Sequence, residues 1–340
     1  MAITGTGSGT VTGTGINCLG DCTETVAHNT MIALTATPGV GSTFTSWSGG
    51  GCSGNGTCTV TMDALKTVTA TFTINTYTVI PFAGANGTIS PSTNVTVNHG
   101  ATTSFTVTPN AGYTASVTGS CGGSLMGNTF TTNPITASCS VNASFTLNTF
   151  TLTVNPAGTG FGSVSSAPAG ITCPGDCNEI YGSGTMVTLT AAPSVGSTFT
   201  SWTGGGCSGN GTCTVTMDAL KMVTATFTIN TYTVIPFAGP NGSISPSTNV
   251  TVNHGATTSF TLTPSAGYAA SVTGSCGGTL LGNTFTTSPI TARCSVNATF
   301  TQITYAVTPN AGANGVISPN SAQTIAQGAT TTFTVTANSD

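Results

Sequence analysis

The stretch Val195–Phe227, VGSTFTSWTGGGCSGNGTCTVTMDALKMVTATF, already stands once as Val40–Phe72, with Ser48 in place of Thr203 and Thr67 in place of Met222. A chain that copies itself at a fixed offset builds its fold from one kind of unit used again, so the repeat comes before any reading of helices or strands. Cys18, Cys22, Cys52, Cys58, Cys121 and Cys139 return 155 residues later as Cys173, Cys177, Cys207, Cys213, Cys276 and Cys294. Two module types alternate. Type A, over 1–74 and 149–229, carries four cysteines and one Trp; type B, over 75–148 and 230–302, carries two cysteines and no Trp. A third type B occupies 303–340, about half the usual length, and the first type A lacks the strand equivalent to FTLTV at 150–154. Between Val40–Pro109 and Val195–Pro264 only five positions differ, so the duplication is recent and the identity does not mark functional constraint.

Within the modules, MVTLTAA (186–192), TFTSW (198–202) and TCTVTM (212–217) alternate apolar and polar residues, or nearly so, between clusters of Gly, Pro, Asn and Ser. That period reads as short, half-buried strands joined by tight turns. Asn-His-Gly at 98–100 and 253–255 reads as a hairpin turn, and the one hint of helix is a single turn at Met62–Lys66 and its copy Met217–Lys221. The expected fold class is all-β: a tandem array of small, disulfide-stapled, antiparallel, sandwich-like modules, rod or filament-like in outline.

Only 3% of residues are charged, against roughly 25% in ordinary soluble domains. Thr, Ser, Asn and Gly keep such a chain in water, and Thr also favours strands. Three basic residues, Lys66, Lys221 and Arg293, leave no electrostatic footprint for nucleic acid. No apolar run approaches the roughly 18 residues of a membrane helix, so membrane insertion of this segment is not expected.

A module of about 75 residues buries only about 60% of its unfolded surface and needs staples. The twelve cysteines are expected to pair within each module, which places the chain in an oxidising compartment, extracellular or at the cell surface. The start, MAITGTGSGT, has no signal-peptide pattern, so the stretch is read as a mature or excised segment. Cys121 with Cys139 and Cys276 with Cys294 are alone in their modules. In type A the local pairs Cys18–Cys22 and Cys52–Cys58 are favoured, with crossed pairing left open.

Trp47 and Trp202 follow a strand and precede a Gly-rich loop, where an exposed indole would stack on sugar; they are read instead as core anchors, as are Tyr113 and Tyr268. Zinc on the type A cysteines and calcium on Asp21 with Glu24, or Asp176 with Glu179, are weaker readings, because the spacings and the count of carboxylates fall short. A Lys–Asn crosslink from Lys66 or Lys221, with Glu24 or Glu179 as the acid, ranks below a solvated charge at a strand end. His28, His99 and His254 sit in turns with no catalytic partner spacing. No cofactor and no enzymatic activity are expected.

The run GSTFTSWSGGGCSGNGTCTVTMDALKTVTATF, preceded by GINCLGDC, resembles the divergent InlB B-repeat family of bacterial surface proteins, and GTISPSTNVTVNHGATTSFTVTPNAGY looks like a companion variant. The resemblance covers nearly the whole chain. It implies a stalk or adhesive spacer in a secreted or cell-surface protein, with no catalytic residues to carry over.

The expectation is therefore a structural repeat protein. Its partner would be itself, head to tail, with an incomplete last module offering Ile303, Tyr305, Val307, Phe333 and Val335 as an intersubunit segment for strand complementation; the ends would otherwise be only the bounds of the stretch in hand. The alternative is an adhesin that binds a surface glycan or host matrix through its cysteine-closed Gly-rich loops.

Overall fold

The computed structural model describes residues 1–339, and every regular element in them is a strand. Two compact units divide the chain: Met1–Thr149 with Gly182–Gly184, and Phe150–Tyr181 with Thr185 onward.

The second type A module shows the complete pattern. One sheet runs in the order Asn178–Gly182, Thr149–Gly158, Lys221–Ile229, Ser197–Gly204, Cys207–Gly209; the other runs Thr172–Cys173, Gly162–Ala167, Met186–Pro193, Cys213–Thr216. Leu152, Trp202 and Phe227 from the first and Val164, Leu189 and Val215 from the second share one buried cluster. Two sheets closed over a common core make a sandwich.

The local sequence explains one departure from simple alternation. The pairing of Ser197–Gly204 with Lys221–Ile229 shifts register between Phe199 and Ser201. This bulge inserts one residue, so Phe199 and Trp202 both turn inward although they are three apart. Their rings lie 4.9 Å apart, and Phe199 meets Phe227 edge-on at 5.5 Å.

Most neighbouring strands are antiparallel, but each full module is closed by a parallel pair. Leu152–Gly158 lies beside Lys221–Phe227, and in type B Val234–Ala238 lies beside Cys294–Ala298. Parallel neighbours need a connection of about a dozen residues or more. Here the rest of the module is that connection, so pairing the first strand with the last seals each sandwich.

Three expectations are corrected. The first type A module has an opening strand: Ala2–Gly5 pairs with Thr69–Phe72 as Asn155–Gly158 pairs with Thr224–Phe227. Met62–Lys66 forms no helical turn; it is a bend closed by Lys66 and Asp63. Asn98–Gly100 is a turn but not a hairpin, because Val95–Asn98 and the following Ser104–Pro109 belong to different sheets.

Residues 303–339 form four strands in two two-stranded sheets: Thr304–Val307 with Gln323–Ala326, and Gly315–Ser318 with Thr334–Ala337. Val234 and Leu262 are fully buried (0% exposed), whereas their counterparts Val307 and Val335 are 42% and 74% exposed.

Candidate functional site

Each type A module presents a Gly-rich loop held from two sides. Cys52 is bonded to Cys58 and Cys207 to Cys213, and the indole Nε1–H of Trp47 donates to Gly56 O at 3.0 Å, as that of Trp202 does to Gly211 O. Both Trp side chains are buried and packed against Phe44 or Phe199. The indole anchors the loop rather than offering a face for sugar. The remaining cysteines pair as Cys18–Cys22, Cys121–Cys139, Cys173–Cys177 and Cys276–Cys294. Tyr268 packs partly against its module's core, and Tyr113 is half-buried.

The charged candidates are engaged locally. Asp21 accepts the N–H and the hydroxyl of Thr23 at 2.9 and 3.0 Å, and the Thr23 N–H chiefly holds its carboxyl below the usual range. Lys66 lies 2.7 Å from Asp63 and Lys221 2.6 Å from Asp218. The lysines are thus ion-paired, not free strand-end charges.

The linkers are where residues from different modules meet. Asn75 donates its N–H to Gly41 O at 2.8 Å, and His99 donates its N–H to Asn75 O at 2.8 Å. The Thr43 hydroxyl donates to Asn75 Oδ1 at 2.6 Å. Asn230 makes the same bonds with Gly196, His254 and Thr198. Within the first unit the backbone pair recurs at Asn148, with Gly112 and Ser183; in the second it recurs at Ile303, with Gly267 and Gln327. One linker residue is therefore tied on both sides, and Ile303, expected at a contact between chains, serves inside the chain. Tyr305, Val307 and Val335 are exposed and Phe333 is half-buried.

Side chains reinforce the two A–B linkers. Gly41 has φ +72° and Gly196 +77°, in the left-handed region open to glycine. A Cβ built on either would fall on the imidazole of His99 or His254. The imidazoles also tilt against Tyr77 and Tyr232, with ring centroids 5.9 Å apart. The Nδ1 atoms of His99 and His254 are buried without a hydrogen-bond partner. Sequence reasoning placed these histidines in turns and missed the junction. The one available signal was the joint recurrence of Val-Gly, Asn-Thr-Tyr and Asn-His-Gly at fixed distances.

The first and second type A modules differ at the opening strand, Ala2–Gly5 in the first and Thr149–Gly158 in the second. Leu152, Thr153 and Val154 pair with Lys221, Met222 and Val223; among the described residues no strand pairs with their counterparts Lys66, Thr67 and Val68. Asn178–Gly182 flanks the other side of that strand in the second module, whereas residues 23–27 form no strand. Met1 stands where Val154 does: its amino group donates to Cys22 O at 3.0 Å, as Val154 N–H donates to Cys177 O at 2.8 Å. Beyond it opens a cavity of about 120 Å³ lined by Ile16, Ile32, Leu34, Met62 and Val68.

Disulfide-stapled sandwiches repeated in tandem and tied at their linkers define a tandem β-repeat protein. A family model, the divergent InlB B-repeat domain, matches residues 1–76, 77–149, 150–231 and 232–304, and the chain belongs to that family. Comparison with curated protein sequences gives no match. Among solved structures, the chain is similar to the Bacillus anthracis TIE protein at 8% identity and a TM-score of 0.37, over 80% of this chain and 57% of that one. The chain thus spans a little over half the length of that relative.

Proposed function

We propose that this chain is a non-enzymatic structural segment of a secreted or cell-surface protein, a stalk or filament in which each module bears load and passes it to the next. The observation that carries this reading is the linker: a single residue bonded to both of its neighbours leaves little freedom between a type A module and the type B that follows it. Six intramodular disulfides fit an oxidising exterior. They also shorten the chain that a pulled module can release. The parallel closure of each sandwich ties the start of a module to its end, so force applied through the linkers loads that strand pair directly.

Single-molecule stretching of the oxidised chain tests the proposal. Discrete unfolding events are expected, each lengthening when the disulfides are reduced. A chain that extends smoothly at low force, with no events, would remove the load-bearing role.

A further inference from the structure

We propose that Asn55 and Asn210, in the Gly-rich loops of the two type A modules, are sites of spontaneous deamidation, and that the fold selects them over the other Asn-Gly pairs of the chain. The inference goes beyond the load-bearing reading and stands without it.

Five such pairs occur: Asn55-Gly56, Asn86-Gly87, Asn210-Gly211, Asn241-Gly242 and Asn314-Gly315. A glycine after asparagine leaves the next backbone nitrogen unshielded and the chain free to bring it against the side-chain amide. All five asparagines are exposed, so access to water does not separate them. The peptide group between the two residues does, because it must turn for the ring to close. In the loops, neither Asn55 O nor Gly56 N–H, and neither Asn210 O nor Gly211 N–H, has a hydrogen-bond partner among the described residues. A Cβ on Gly56 or Gly211 would meet nothing within 4 Å, so that peptide has room to turn.

The other three pairs are held. Asn86 O accepts from Asn110 N–H at 2.9 Å, Asn241 O from Ser265 N–H at 2.9 Å and Asn314 O from Asn338 N–H at 3.0 Å. Asn86 and Asn241 also have φ of +71° and +69°, and a Cβ on Gly87 or Gly242 would fall on the ring of Phe145 or Phe300. Turning either of these peptides breaks a hydrogen bond and lifts the first residue of a strand off a packed ring.

The step balances with water as its only co-reactant. The Gly56 nitrogen bonds to Asn55 Cγ, the Cγ–Nδ2 bond breaks, and ammonia leaves with the proton of the glycine N–H. Water then opens the cyclic imide at either carbonyl, giving aspartate or isoaspartate. Each event adds one negative charge to a chain of formal net charge −4 in which 3% of residues are charged. Isoaspartate also routes the backbone through one further carbon between Cys52 and Cys58, whose bond fixes both ends of the loop. The group displaced is Gly56 O, the acceptor of the Trp47 indole. The surface of the loop and its anchor thus change with the age of the molecule.

Peptide mapping by mass spectrometry, on the oxidised full chain held at mildly alkaline pH over a time series, is the test. Deamidation at Asn55 and Asn210 is expected to outrun that at Asn86 and Asn241 by roughly fivefold or more, the order that one hydrogen bond sets. In urea the four rates should converge, since only folding separates them. Equal rates in the folded chain, or loops that do not react, would overturn the proposal. The double variant Asn55→Ser, Asn210→Ser should lose the acidic drift that the parent shows on ion exchange; drift of undiminished size would overturn the assignment of the sites. In the fraction carrying isoaspartate at 55, the Trp47 indole N–H should exchange with solvent faster than in the parent, and an unchanged rate would overturn the link to the anchor.

Discussion

Gly41 and His99 exclude a methyl group from between them: a Cβ on Gly41 would coincide with the imidazole, and Gly196 stands to His254 in the same way. The glycine is thus required twice, once for its φ of +72° and once for the approach of a ring from the next module. Gly41→Ala is expected to cost about 1–2 kcal/mol from the left-handed backbone alone, with a further penalty as His99 is pushed off Tyr77. The loss should fall on the junction and spare both cores. Hydrogen exchange would show it as faster exchange at the Asn75 and His99 amides with unchanged protection at Val79 and Phe72. His99→Ala, which leaves Gly41 its favoured conformation, should loosen the same amides less.

Trp47 supports its module in two ways, through buried area and through the bond from its indole to Gly56 O. Trp47→Ala should destabilise the first module by about 3–5 kcal/mol. Trp47→Phe keeps a ring in contact with Phe44 but frees the loop, at a cost of about 1 kcal/mol for the hydrogen bond plus the volume lost. Urea unfolding followed by residue-resolved exchange separates the first module from the second, where the unchanged Trp202 is an internal control. A Trp47→Phe chain with undiminished stability and unchanged protection in the loop would mean that the indole N–H contributes nothing to it.

The strands and the inward Trp were legible because alternation and size are local properties. What was not legible depends on partners far along the chain. The parallel closure sets Leu152 opposite Lys221, and no local period encodes that choice. Lys66–Val68 and Lys221–Val223 make the point sharply: nearly one sequence is coil in the first place and strand in the second, because only the second has Leu152–Val154 beside it. The bulge that turns Phe199 and Trp202 to one side also breaks the simple alternation of TFTSW. His99 reads as a turn residue because its partner, Gly41, lies in another module.

The disulfides should rank by the loop that each closes. Cys121 and Cys139 are 18 residues apart and Cys52 and Cys58 six apart. The chain-entropy model gives about 3 kcal/mol for the longer loop and about 2 kcal/mol for the shorter. Cys139 also lies opposite Val79 at the start of the parallel closure, so replacing the Cys121–Cys139 pair by alanines should open that closure first. Exchange at Val141 and Ala143 is expected to rise to the module's global unfolding rate, while the Cys52→Ala, Cys58→Ala variant shows its main change in the Gly-rich loop. A type B module that keeps its protection without the pair would show that the two sheets close without a staple.

The bend of Asp63 and Lys66 predicts a pH dependence with a definite sign. The hydrogen bond from the Lys66 ammonium, and then its charge, holds the Asp63 carboxyl below the usual carboxylate range; the hydrogen bond from Lys221 is the leading cause of the same shift at Asp218. Folding lowers the pKa, so the unfolded chain binds this proton more tightly than the folded one. The stabilisation is therefore complete above the unfolded value, about 3.9, and is lost as the pH falls through the lower, folded value. Both carboxylates are exposed, so the effect is local and sensitive to salt. In Lys66→Met the Asp63 titration midpoint, followed by the carboxyl resonance, should rise toward the ordinary value while Asp218 stays put. In 1 M salt, where the screening length is about 3 Å, part of the shift should survive, because the hydrogen bond remains when the longer-range attraction is screened. A midpoint that does not move on removal of Lys66 would show that the backbone of the bend, and not the ammonium, holds the proton off.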